Sequence, residues 1–206
     1  MTGIEAAIVM IAFVVVAAAL AFVVLNMGMF TTQRARETIN TGLAHASSAL
    51  EVDGSITALV NDDGSGVELV SIPLRLAPGK DSVDLNPEKL TVALFVTGTV
   101  NLAYENIYNE SINSKNVTTF SLSELSSKIT IVSDPSAAMV FVIERVEDTV
   151  LSYGEKVLLI IKFPSNANPA PYDNIRVEIR TPEGAPLTVE RVVPAILPSG
   201  QAVALG

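Results

Sequence analysis

The sequence predicts an α+β chain, in which one long N-terminal hydrophobic helix precedes an all-β domain, a sandwich or barrel of immunoglobulin-like type. Three observations carry this expectation. Glu5 and Arg34 enclose 28 residues without a charge. No proline, the strongest helix breaker, occurs before Pro73. Beyond Leu50 the pattern changes to short β-branched runs punctuated by Gly, Pro, Asn and Asp. The expected division is residues 1–50 for the helix and 51–206 for the β domain.

The helix comes first. From Ile4 to Leu25 it has no polar face except at Glu5. A helix apolar all round must be buried all round, in lipid or in protein. At 1.5 Å per residue the charge-free run alone is about 42 Å long, enough to span a bilayer. Continued from about Gly3 to about Leu50 the helix would reach about 70 Å, more than any bilayer needs. Ala17 and Ala21 form a small-xxx-small pair that permits close helix approach. A plain single-pass anchor would carry similar alanines. After Phe30 the character changes: Ile39, Leu43, Ala46 and Leu50 recur at helical spacing among Gln33, Arg34, Arg36, Glu37 and Asn40. The helix thus leaves the apolar zone with one face still suited to a partner surface. His45, the only histidine, lies in this stretch and reads as a surface or interface residue.

Orientation adds a constraint. Arg34 and Arg36 follow the apolar run and no Lys or Arg precedes it. The positive-inside rule alone would leave the remainder in the cytoplasm. Features of the β domain argue for the outside, and a removed basic leader reconciles the two.

The β domain follows. Candidate strands are Ile56–Val60, Gly66–Leu76, Leu90–Leu102, Lys128–Val132, Ala138–Glu147, Glu155–Phe163, Asn174–Thr181 and Leu187–Val193. Asn61-Asp62-Asp63-Gly64-Ser65-Gly66 holds carboxylates suited to calcium, yet lacks the spacing and distant Glu of an EF-hand. A hairpin turn is the better reading. Pro164 to Pro171 reads as a connection. The uncharged tail 194–206 would be an exposed apolar patch unless docked.

Composition removes several functions. The chain has no Cys, no Trp and one His, which excludes a disulfide scaffold, thiol catalysis and a multi-histidine metal site. No phosphate loop, nucleophile elbow or HExxH is present. Acid pairs such as Glu147 and Asp148 read as solvated charge. No catalytic, cofactor or metal residue is therefore assigned. Net charge is −9, carried entirely by residues 51–206 with 20 acidic and 11 basic side chains. Such a surface does not suit nucleic acid. Two N-x-S/T sequons, Asn109-Glu110-Ser111 and Asn116-Val117-Thr118, fall in the polar stretch 104–119; short sequons also arise by chance, but their clustering in one loop favours glycosylation outside the cell. Tyr104, Tyr108 and Phe120 beside them read as loop-packing or contact residues.

The first residues, Met1-Thr2-Gly3-Ile4-Glu5-Ala6-Ala7-Ile8-Val9 through Ala19, and then Leu25-Asn26-Met27-Gly28-Met29-Phe30-Thr31-Thr32-Gln33, carry a specific resemblance. They resemble the N-terminus of mature archaeal flagellins, which is similar at this end to that of type IV pilins. The match covers roughly the first 45 residues. The resemblance implies a helical homopolymer outside the cell, with N-terminal helices bundled in its core and β domains on its surface. It also implies removal of a leader by a prepilin-type peptidase, insertion in the membrane before assembly, and a membrane platform with a cytoplasmic ATPase as partners. The residues expected in the polymer core are Glu5, Ile8, Ile11, Val15, Ala17, Leu20, Ala21 and Val24. Glu5 suits the first helical turn through the helix dipole; the pilin likeness adds a possible partner in a neighbour's N-terminal amine. Two other readings compete with the flagellar subunit. One is a type IV pilus-like adhesion subunit, the other a single-pass anchored binding protein with a β-sandwich ectodomain. The striped helix beyond Phe30, with no flexible linker after it, favours a polymer over an anchor.

Overall fold

The computed structural model describes residues 2–46, 49–80, 82–112, 122, 135–143 and 148–205. The chain forms two compact units, Met1–Ala46 and Ser47–Gly206.

The first unit is a single α-helix, α1 (Thr2–Ala46). Ala, Leu and Met make the run a good helix former, and Glu5 lies in its first turn, where the dipole favours an acid. The helix stops at Ala46, short of the expected Leu50. Leu50 instead opens strand β1 (Leu50–Val52), pairs with Leu76 and is buried. A strand contact that buries Leu50 outweighs the helical spacing that extends to it.

The second unit contains two facing sheets and a two-stranded ribbon. The larger sheet has seven strands. Its path runs through β13 (Ala202–Ala204), β2 (Thr57–Val60), β3 (Val67–Leu76), β10 (Lys156–Lys162), β8 (Ser136–Ile143) and β7 (Tyr108–Ile112), with β1 also on β3. The smaller has the order β12 (Leu187–Val192), β11 (Asn174–Arg180), β5 (Thr91–Thr97) and β6 (Leu102–Tyr104). The ribbon pairs β4 (Ser82–Asp84) with β9 (Val150–Ser152). Ladders are antiparallel except β7 with β8, which is parallel. One core cluster joins Val70, Ile72, Leu74, Val157, Leu159 and Ile161 of the large sheet to Val92, Leu94, Val96, Ile175, Val177 and Ile179 of the small one. The domain is therefore a sandwich.

The strand patterns explain the two layers. β11 alternates Ile175, Arg176, Val177, Glu178, Ile179, Arg180, so one face is buried and the other meets water. β10 reads Val157-Leu158-Leu159-Ile160-Ile161 without alternation, the pattern of a strand covered on both faces. Its second face joins Leu59, Leu69, Ala138, Val140 and Ile160 in a separate cluster, against which Leu122 packs. Pro73 sits inside β3, yet its missing N–H breaks no ladder. Its carbonyl accepts from Asp53 N–H at 2.9 Å, so the ring nitrogen faces the side where the chain passes from β1 to β2.

Some expectations need correction. The run Leu90–Leu102 is not one strand: it breaks after Thr97 into β5 and β6, at Gly98 with φ +152°. Strand Ala138–Glu147 begins earlier, at Ser136, and its residues 144–147 lie outside the described residues. Lys128–Val132 lies outside them as well. The stretch around the sequons is not all loop, because it contributes β6 and β7. The short strands β1, β4, β9 and β13 were not legible as strands, being three residues each. The uncharged tail does dock: β13 pairs with β2, and Leu205 N–H donates to Ile56 at 2.9 Å.

Candidate polymerisation surface

The helix presents its apolar side chains to the outside. Ile8, Ile11, Val15, Leu20 and Val24 are each more than 60 % exposed, and Glu5, Ala17 and Ala21 are exposed too. The structure brings these eight residues onto one rigid element but not onto one stripe. At about 100° per residue, Ile8, Ile11 and Val15 fall on one side and Ala17, Leu20, Ala21 and Val24 on the other. A helix with two such faces can bind neighbours on both sides at once. Over Gly3–Leu43 it is also long and apolar enough to cross a membrane.

Four threonines of the helix satisfy their hydroxyls locally. Thr31, Thr32, Thr38 and Thr41 each donate a hydroxyl to the carbonyl four residues back, at 2.7, 2.8, 2.9 and 2.8 Å. A hydroxyl satisfied on its own backbone needs no water and turns its methyl group outward. This feature was not drawn from the sequence, although threonine in a helix interior is its signal. Arg34 lies 5.6 Å from the centre of the Phe30 ring and 3.7 Å from Glu37. Gly28 leaves open space where a side chain would stand.

The β domain uses its ionisable groups for packing. Asp173 is buried and accepts from Thr99 N–H at 2.6 Å, Ala170 N–H at 2.9 Å and Val100 N–H at 3.3 Å. Burial pushes its carboxyl up, but these backbone donors outweigh burial and hold it below the usual range. A Cβ on Gly98 would collide with this carboxylate. Next to it Tyr172 takes φ +70° and is exposed, while its N–H donates to Val193 at 2.9 Å. No sequence motif announced this clasp. Asp84 accepts from Lys89 at 2.7 Å and from Asn86 N–H at 3.0 Å, and lies below its usual range, chiefly through Lys89. Tyr108 is a core residue, not a loop contact: its hydroxyl donates to Leu85 at 2.6 Å, and burial pushes the phenol upward.

Asn61-Gly66 is the hairpin between β2 and β3. Asn61 N–H donates to Gly66 at 3.0 Å, and the Asn61 side-chain oxygen accepts from Ser65 N–H at 3.0 Å. Among the described residues no cluster of three or more His, Cys, Asp or Glu is placed to hold a metal. Asn109 falls in β7, where the register with β8 shifts between Tyr108 and Glu110. Asn116 and Phe120 lie outside the described residues, as does Glu147.

An exposed apolar helix followed by an acidic β-sandwich is the architecture of a filament-forming structural protein. Residues 1–191 match the archaeal-type flagellin family, and the chain belongs to that family. It is 45 % identical over 204 residues to a probable flagellin 1 of Aeropyrum pernix, covering 99 % of this chain and 96 % of that one. A probable flagellin 1 of Archaeoglobus fulgidus is 44 % identical over 105 residues, covering 50 % of this chain and 52 % of the relative. Two solved structures share the fold. Flagellin FlaB1 of Methanocaldococcus jannaschii aligns with a TM-score of 0.60 and 15 % identity, over 77 % of this chain and 97 % of that one. The flagellum of Methanospirillum hungatei aligns with 0.54 and 23 %, over 100 % of this chain and 99 % of its subunit.

Proposed function

We propose that the chain is the structural subunit of an archaeal flagellar filament and polymerises through α1 for swimming motility. Family membership supports the filament, and favours it over an adhesion pilus or an anchored binding protein. The observation that carries the helix as the polymerising element is its unbroken exposure. Fourteen Ile, Val, Leu and Phe side chains lie between Ile4 and Phe30, and burying each contributes about 1.5–3 kcal/mol. Glu5, Ile8, Ile11, Val15, Ala17, Leu20, Ala21 and Val24 form the core of the polymer in this reading. Before assembly the same helix sits in the membrane. Processing by a prepilin-type peptidase and assembly by a membrane platform with its ATPase complete the proposal. The filament lies outside the cell, with the acidic domains outermost. Negative-stain microscopy of purified native material tests the filament: threads of uniform thickness are expected, and dispersed monomers would refute it.

The two sequons are the proposed glycan sites. Their spacing and the extracellular setting support this. Intact-mass measurement on the peptide that contains Asn109 and Asn116 should show added mass, and an unmodified peptide throughout would remove the assignment.

A further inference from the structure

The charges of α1 sum to zero but do not all pair within the helix. The described helix carries four, Glu5, Arg34, Arg36 and Glu37. Arg34 and Glu37 pair with each other. Glu5 and Arg36 are left with no ion pair among the described residues, one acid and one base at opposite ends of a single rigid rod. In water this costs nothing. In a dry bundle an unpaired charge is strongly unfavourable, so each needs a partner.

We infer that Glu5 of one subunit pairs with Arg36 of a second copy of this chain, in a parallel contact staggered by about 46 Å along the helix axis. The inference rests on the bundled-helix reading above and deepens it. Two further observations support the pairing. Around Arg36, Ile39 and Leu43 follow at +3 and +7 and share its face. Both are at least 60 % exposed. Around Glu5, Ile8 and Ala12 follow at the same +3 and +7. With Glu5 opposite Arg36, Ile8 therefore meets Ile39, and the small Ala12 meets the large Leu43. Thr32, one turn before Arg36 on the same face, has its hydroxyl turned onto Gly28 and offers only a methyl. The second observation is angular. Thirty-one residues at about 100° each place Glu5 and Arg36 about 140° apart around the axis. A closed antiparallel pair would need both charges on one side. On opposite sides, each subunit gives Glu5 to one neighbour and Arg36 to another, and the contact propagates without closing.

Electron cryomicroscopy of filaments assembled from the full chain reads this directly. The expected result is a Glu5 carboxylate within about 4 Å of a neighbour's Arg36 guanidinium. Bundled helices in which Glu5 meets an N-terminal amine or any other group would overturn the pairing and leave the core reading standing. A filament without bundled helices would overturn both. Charge reversal gives an independent readout. Glu5→Arg and Arg36→Glu should each abolish filaments, and the double variant should restore them to at least half the wild-type mass. Normal filaments from Arg36→Glu alone would overturn the pairing.

Discussion

At the scale of single residues, Asp173 and Gly98 hold the loop after β5 to the connection before β11. Three backbone N–H groups on one buried carboxylate explain why burial alone does not set its proton affinity. Asp173→Asn places an amide against those donors, and should cost about 1.5–3 kcal/mol, the range for a hydrogen bond to a charged group. Gly98→Ala should cost about 1–3 kcal/mol, because it combines a positive φ with a collision against the carboxylate. Urea melts of the β domain measure both. The sign with pH is fixed. The folded carboxyl lies below its ordinary value of 3.8, so its stabilisation is full above that value and is lost as pH falls through the folded pKa. The gap between wild type and Asp173→Asn should therefore be widest near neutrality and close in acid. A gap that held constant down to strong acid would mean the carboxylate is not held by its charge.

Among elements, the helix and the long strands were legible because each repeats one signal many times. Twenty-eight uncharged residues leave little choice of structure. β3, β5, β10, β11 and β12 are bounded by turn residues and rich in β-branched side chains. The three-residue strands were illegible because so short a run has no period; tertiary pairing makes them, as Leu50 with Leu76 and Val203 with Ala58 illustrate. The same limit hid the end of α1, since Leu50 fits the helical stripe and is claimed by a strand. On the helix, seven of the eight proposed core residues are apolar and Glu5 is not, and the 100° helical step separates those seven into two faces. Two predictions belong here. Val15→Asp should abolish assembly while leaving the β domain folded, since an uncompensated charge in a dry bundle costs several kcal/mol per subunit. Electron microscopy and circular dichroism together check it. Leu205→Ala should lower the stability of the domain by about 2 kcal/mol, because Leu205 is buried beside the β13–β2 pairing. A change near zero would mean that the tail only rests on the edge of β2.

For the whole molecule, the question is where cohesion resides. Residues 47–206 should form a soluble monomer, and the full chain should polymerise or require detergent. The β unit is compact in itself and keeps β1 when the cut falls before Ser47. A cut after Leu50 would remove a buried residue and half of the β1 pairing. The unit carries the entire net charge of −9. Repulsion between such domains opposes their association, over a Debye length of about 8 Å at physiological salt. The uncharged tail is not a loose sticky end, because β13 and Leu205 are docked on β2 and Ile56. Among the described residues of the unit, exposed apolar side chains stand at Tyr153, Tyr172, Val192 and Ile196, single side chains against a helix that is apolar over many turns. In the proposed polymer the helix supplies the attraction and the domains a weak repulsion that salt reduces. Size-exclusion chromatography of residues 47–206 at low and physiological salt decides between the two. A monomer in both conditions is expected. Stable oligomers at physiological salt would put the cohesion in the outer domains and make α1 an anchor.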